Sequence, residues 1–218
     1  MRDLDLDPNP RWSRDFGMGV ILAGIPLACC GALLLIFEVY SFRHVFAWGG
    51  LRKTVLAAIF VPLIEETFFR GIVLGILLRS GRRYLSIAAT SGIFALVHFL
   101  KAPEKGLATV TWRSGFESLA NSFSQFAQPL FVVAAFATLF LIGWILAESR
   151  LRTRSLWLPL GLHAGWIFAS GCFNALARRQ MTLGPWLGKN LLVGIIPLAV
   201  VAMTWLIIHF WFKYARPR

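Results

Sequence analysis

Three ionisable side chains stand inside one apolar run of the sequence, VPLIEETFFRG, where Glu65, Glu66 and Arg70 are surrounded by residues suited to lipid. An ionisable group near the centre of a bilayer costs about 2.5–3.5 kcal/mol on insertion scales, so three together call for a compensating arrangement. Glu66 and Arg70 are four apart and share one helical face, where pairing lowers the penalty for both. Glu65 points about 100° away and has Phe69, not a base, one turn further on. The spacing predicts a division of labour in which Glu66 pairs with Arg70 and Glu65 stays available for chemistry.

Two histidines extend this set. His98 follows Phe94 by four residues in SGIFALVHF, and His163 stands in SLWLPLGLHAGWIF, each a single ionisable group in an otherwise apolar run. If the helices that bear them converge, a free carboxylate and two imidazoles can enclose a water in a polar cavity below the lipid surface. There the carboxylate removes a proton from the water, while the imidazoles orient it, donate to a developing oxyanion or bind a metal. Gly161 and Gly165 flank His163, and Gly71 and Gly75 follow Arg70, so small-xxx-small surfaces would let these helices approach closely. Each residue also has a plainer reading. A histidine can bond a neighbouring helix, a Glu–Arg pair can serve packing alone, and Phe94 reads as core. The catalytic reading rests on conjunction, because the ionisable residues gather on three apolar runs while the other three carry almost none internally. Glu38, Glu148 and His209 lie near run ends, where side chains reach the interface, and receive no chemistry.

The elements that must position these residues are membrane helices. Of the 218 residues, 57% are hydrophobic, whereas a soluble domain holds about 45–50%. A span needs roughly 20 mostly apolar residues, because each backbone amide must be satisfied within its own helix. Six runs are of this kind: Gly17–Glu38, Thr54–Leu78, Tyr84–Leu100, Pro129–Ala147, Ser155–Phe173 and Asn190–Phe212. The sequence therefore predicts an all-α fold, a polytopic transmembrane bundle of about six helices. It forms one domain over residues 1–218, with a tail at 1–16 and the chemical motifs within 54–174. The apolar run after the mixed-charge tail has no small-residue cleavage site and reads as a retained first helix. The connector Lys101–Gln128 mixes Gly, Ser, Thr and Asn with Phe116, Phe123 and Phe126, a pattern suited to a re-entrant or interfacial helix.

The formal charge of +12 does not point to nucleic acid, because apart from Arg70 the 22 Lys and Arg fall in the tails and connectors, where membrane proteins keep them. Each tail and connector carries three, which places twelve on the side shared by the termini and nine on the other. That small excess favours both termini in the cytoplasm. Cys29, Cys30 and Cys172 lie in apolar runs without ligand spacing, so the reading is packing, with no disulfide framework and no structural zinc.

EETFFR, FALVH and the later GWILAESRLRTRSLWLPLGLHAG stand in an order that resembles the EExxxR, FxxxH and third, histidine-bearing motifs of the CPBP intramembrane proteases. That family includes CAAX prenyl endopeptidases and bacteriocin-processing proteins. The resemblance runs from Val61 to Trp166. It implies a glutamate-dependent intramembrane endopeptidase in which Glu65 activates water with help from His98. Glu66 and Arg70 would support the site, and His163 would position the water or help form the oxyanion hole. Neither cofactor nor metal is expected; zinc is the alternative, disfavoured because the histidines lie on separate helices and Glu66 is committed to Arg70. The family often has Asn four residues after the third-motif histidine, where this chain has Ile167. Asn174, eleven residues beyond His163, lies about 16 Å along the axis and does not replace it.

Expected partners are membrane lipid and a peptide or protein substrate such as a C-terminal tail or leader peptide, with no nucleic acid. The expected location is the bacterial inner, cytoplasmic membrane. Two other classes fit the same residues. A catalytically silent scaffold or immunity protein would bind a partner through the bundle, and Ile167 is its best support. A proton-coupled carrier would also place Glu, Arg and His in the membrane, although no inverted repeat is present.

Overall fold

The computed structural model describes residues 10–99, 129–188 and 191–214, and is helical almost throughout. Helix α1 (Trp12–Ile36) leads to a short strand β1 (Tyr40–Phe42) and to α2 (Trp48–Glu66). α2 continues through a π-helical turn (Thr67–Val73) into the short α3 (Leu74–Leu78), so residues 48–78 form one rod. Then follow α4 (Arg83–Phe99), α5 (Pro129–Thr153), α6 (Trp157–Leu176), strand β2 (Ala177–Arg179) and α7 (Ile195–Tyr214). The connector Lys101–Gln128 lies outside the described residues.

The fold is the expected all-α bundle, with a helix in each of the six apolar runs. The helices outlast those runs. α1 begins at Trp12, inside what reads as tail, and α5 continues past Ala147 to Thr153. Apolarity marks where lipid begins, whereas a helix persists as long as its side chains support it. In the last turns of α5, Arg152 donates to Glu148 Oε1 at 2.6 and 2.9 Å, an i,i+4 pair beyond the apolar stretch.

Among the described residues three helices are long and apolar enough to cross a membrane unaided: α1, α5 and α7. The helices with Glu65, Glu66, Arg70, His98 and His163 fall short of that measure. Their outward positions remain apolar, with Ile64 67% exposed and Leu96 51% exposed beside the motif residues. Polarity is thus turned inward and lipid meets hydrocarbon, the reverse of a soluble protein.

α6 is the axis of the bundle. Every residue from Leu158 to Trp166 is buried, as in a helix covered on all sides. α6 packs against α1, α2 and α5, and α5 in turn packs against α4 and α7. Glycine sets the closest of these approaches. A Cβ at Gly161 would strike the Phe16 carbonyl oxygen, and one at Gly165 would lie 2.7 Å from that of Val20. Close approach through these glycines was expected, but the partner is α1 rather than the helix bearing Glu65. Gly75 has nothing within 4 Å of where its Cβ would be, so it mediates no contact.

At the far ends of α1 and α6, β1 and β2 pair antiparallel with Tyr40 opposite Arg179. Arg43 sits beside this ribbon, its backbone amide donating to Leu176 O and its Nε to Asn174 O and Ala177 O at 3.1 Å. Those bonds satisfy carbonyls that the end of α6 leaves without helical partners. Cys29, Cys30 and Cys172 are free thiols.

Candidate active site

Two departures from α regularity bracket the two glutamates, with a threonine side-chain bond between them. Pro62, inside α2, has no N–H to give and withdraws one rung from the helical ladder. Thr67 Oγ donates to Leu63 O at 2.6 Å. Beyond them the π-helical turn opens, and the Leu74 amide reaches back five residues to Phe69 O. Such wide turns are costly in isolation and concentrate at functional positions.

Glu66 and Arg70 are wholly buried, and Arg70 Nη1 donates to Glu66 Oε1 at 2.9 Å. A buried pair is stable only if further contacts compensate for lost hydration. Arg70 Nη2 donates to Gly143 O on α5 at 3.2 Å, and the guanidinium lies 4.4 Å from the ring centre of Phe94 and 5.8 Å from that of Phe69. Gly143 has a second part in this. A Cβ there would come within 3.0 Å of Ser91 Cα, so the bare backbone also lets α4 close on α5.

Glu65 faces the other way. Its Oε2 is 3.2 Å from His98 Nε2 and 3.8 Å from His163 Nε2, and its side chain is 26% exposed where Glu66 is sealed. His98 Nδ1 donates to Phe94 O at 2.9 Å, and its ring rests on that of Phe94 with centres 4.1 Å apart. His163 Nδ1 donates to Glu66 Oε1 at 2.8 Å. Carbonyl and carboxylate accept only, so both Nδ1 atoms carry a proton and each ring turns its Nε2 toward Glu65. Glu65 Oε2 is itself a buried acceptor with no hydrogen bond among the described residues.

All five candidate residues therefore meet, on α2, the π-helical turn, α4 and α6. The division between the glutamates holds in geometry, with one addition: Glu66 accepts from His163 as well as from Arg70. Phe94 is core, at 1% exposure, and is also the surface on which His98 and Arg70 rest. Its i,i+4 spacing from His98 was the available signal. Gly143 went unnoticed, because a backbone acceptor has no sequence signature. Asn174 lies at the ribbon end of α6, and half-buried Ile167 follows His163 by one turn. Any metal here would take Glu65 Oε2 and the two Nε2 atoms as its donors.

The model of the type II CAAX prenyl endopeptidase Rce1-like family matches residues 47–169, and the chain belongs to that family. The match opens at the start of α2 and closes just beyond His163, so it encloses the whole cluster. No curated protein and no solved structure matches the chain significantly. With its family and its three apolar spans, the chain is an integral membrane protein of the CAAX-type endopeptidase class.

Proposed function

We propose that the chain hydrolyses a peptide bond in a membrane-associated substrate by a glutamate-dependent, metal-free mechanism, with Glu65 as the base. The observation that carries this reading is the position of Glu65 Oε2, 3.2 Å from one imidazole Nε2 and 3.8 Å from another, on a carboxylate that is not sealed as Glu66 is. Water admitted beside Glu65 gives its proton to that carboxylate as its oxygen attacks the scissile carbonyl. Collapse of the tetrahedral intermediate breaks the C–N bond, and the proton passes to the leaving amine, leaving a new carboxyl and a new amino terminus. His163, oriented by Glu66, is the group positioned to donate toward the oxyanion once protonated. Arg70 fixes Glu66, and Glu66 fixes His163.

The metal-free form is supported by the placement of the two histidines on separate helices, α4 and α6, rather than in an HExxH arrangement, and by the pairing of Glu66 Oε1 with Arg70. A prenylated C-terminal tail is the substrate class that the family description suggests, and the bacterial cytoplasmic membrane is the proposed location. Ile167, in place of an amide after His163, favours the rival reading of a silent scaffold.

The test is cleavage of a quenched fluorogenic peptide with a farnesylated CAAX terminus by the purified protein in detergent. Glu65→Gln should lower the rate roughly 10³-fold with an unchanged thermal transition, and a zinc chelator should leave wild-type cleavage intact. Full activity of Glu65→Gln would remove the base, and chelator-sensitive activity would restore the metal. A partner that binds wild type and Glu65→Gln alike, without turnover by either, would favour the scaffold.

A further inference from the structure

A second polar region lies at the opposite end of α4 from His98. Arg83, at the start of α4, is fifteen residues before His98, which places it about 22 Å away along the helix. It lines a cavity of about 860 Å³ that contains none of the five candidate catalytic residues. Arg152 and Arg154, at and just beyond the end of α5, share the same wall, and Arg11, ahead of α1, closes another side. Arginines from three separate segments on the terminus-bearing face thus converge, although the sequence spreads its basic residues evenly.

Among the described lining residues Glu148 is the one carboxylate, and it is occupied at both oxygens: Arg152 donates to Oε1, and Trp205 Nε1 donates to Oε2 at 2.9 Å. Arg152 also donates to His209 Nδ1 at 3.2 Å. Arg83 and Arg154 are exposed, and neither has a carboxylate partner among the described residues. Arg154 is held with φ at +51°, in the left-handed region, by the tight turn between α5 and α6. The lining also includes Ile87, one turn into α4 from Arg83, and Trp144, about two turns into α5 from Arg152, together with Leu151 and with Phe212, whose ring centre lies 5.1 Å from the Arg152 guanidinium. Guanidinium groups beside an apolar, Trp-bearing wall suit a ligand with a phosphate at one end and hydrocarbon at the other. A free phosphate would use the arginines and leave the apolar wall unmatched.

We propose that this cavity binds one anionic phospholipid, its phosphate on Arg83 and Arg154 and its acyl chain along Trp144 and Phe212. The terminus-bearing face carries the larger basic count, the side on which anionic lipid attracts juxtamembrane arginine. The site is independent of the catalytic reading, since it shares no residue with it.

The experiment is native mass spectrometry of the full chain from micelles doped with phosphatidylglycerol or with phosphatidylcholine. One phosphatidylglycerol should stay bound per chain while phosphatidylcholine is lost. Arg83→Gln with Arg154→Gln should weaken retention about tenfold or more, whereas Arg83→Lys with Arg154→Lys should preserve it, both with wild-type melting temperature. Equal retention of the two lipids, or undiminished phosphatidylglycerol on the glutamine variant, overturns the proposal. Displacement of the lipid by millimolar inorganic phosphate overturns it in favour of a free-phosphate site.

Discussion

The seam between α1 and α6 and the flank where α2 and its π-helical turn reach α5 and α6 solve opposite problems. At the seam the helices touch backbone to backbone: Gly19 meets Leu158 and Gly161, and Gly161 and Gly165 meet Phe16 and Val20. Nothing titratable enters from α6, and dispersion over a long contact does the holding. At the flank the contacts are few and polar. Glu66, Arg70, Gly143 O and His163 make a chain of short bonds, while most of α2 before Pro62 keeps its side chains partly or fully exposed. The lesson is that rigidity and accessibility are assigned to different helices. α6 takes both, bearing His163 on one side and the glycine seam on the other.

Removing one partner of the buried pair should strike hardest. Arg70→Met leaves Glu66 charged without its guanidinium in a sealed site, and should cost about 3–5 kcal/mol, read as early loss of folded protein on heating in detergent. Adding Glu66→Gln to Arg70→Met should restore stability to within about 1 kcal/mol without restoring cleavage, because His163 loses its charged acceptor. Recovery of cleavage in the double variant would show that the flank only packs.

The seam can be broken by a single carbon. Gly161→Ala forces α1 away from α6 and should cost about 1–3 kcal/mol, measured by the same thermal assay. The smallest effect is expected at Gly75, where an added Cβ meets nothing and helix propensity alone acts. Gly75→Ala should raise stability by up to about 1 kcal/mol, and a loss there would reveal a contact with lipid or with a second molecule.

Much of this was legible in the sequence for identifiable reasons. Apolar runs of the required length announced the six helices, because the bilayer imposes that length. The cost of charge in lipid singled out Glu65, Glu66 and Arg70, and i,i+4 geometry separated their roles before any neighbour was known. What stayed hidden depends on residues distant in the chain. The β1–β2 ribbon joins Tyr40 to Arg179 across most of the protein, and each strand is only three residues long. No composition rule marks the π-helical turn at Thr67–Val73. The bond from His163 to Glu66 required knowing which face of α6 turns toward α2. The glycines beside His163 were read correctly as small and assigned to the wrong neighbour, since size says nothing about who comes close.

The reach of Arg70 to Gly143 O has a consequence for how the molecule comes into being. Synthesis delivers both glutamates and their arginine long before α5 supplies that carbonyl and α6 supplies His163. A nascent chain halted midway holds the acid residues without the imidazole that Glu66 orients, and so lacks a finished site. The ribosome must therefore complete α5 and α6 before the buried Glu66–Arg70 pair gains its full set of partners.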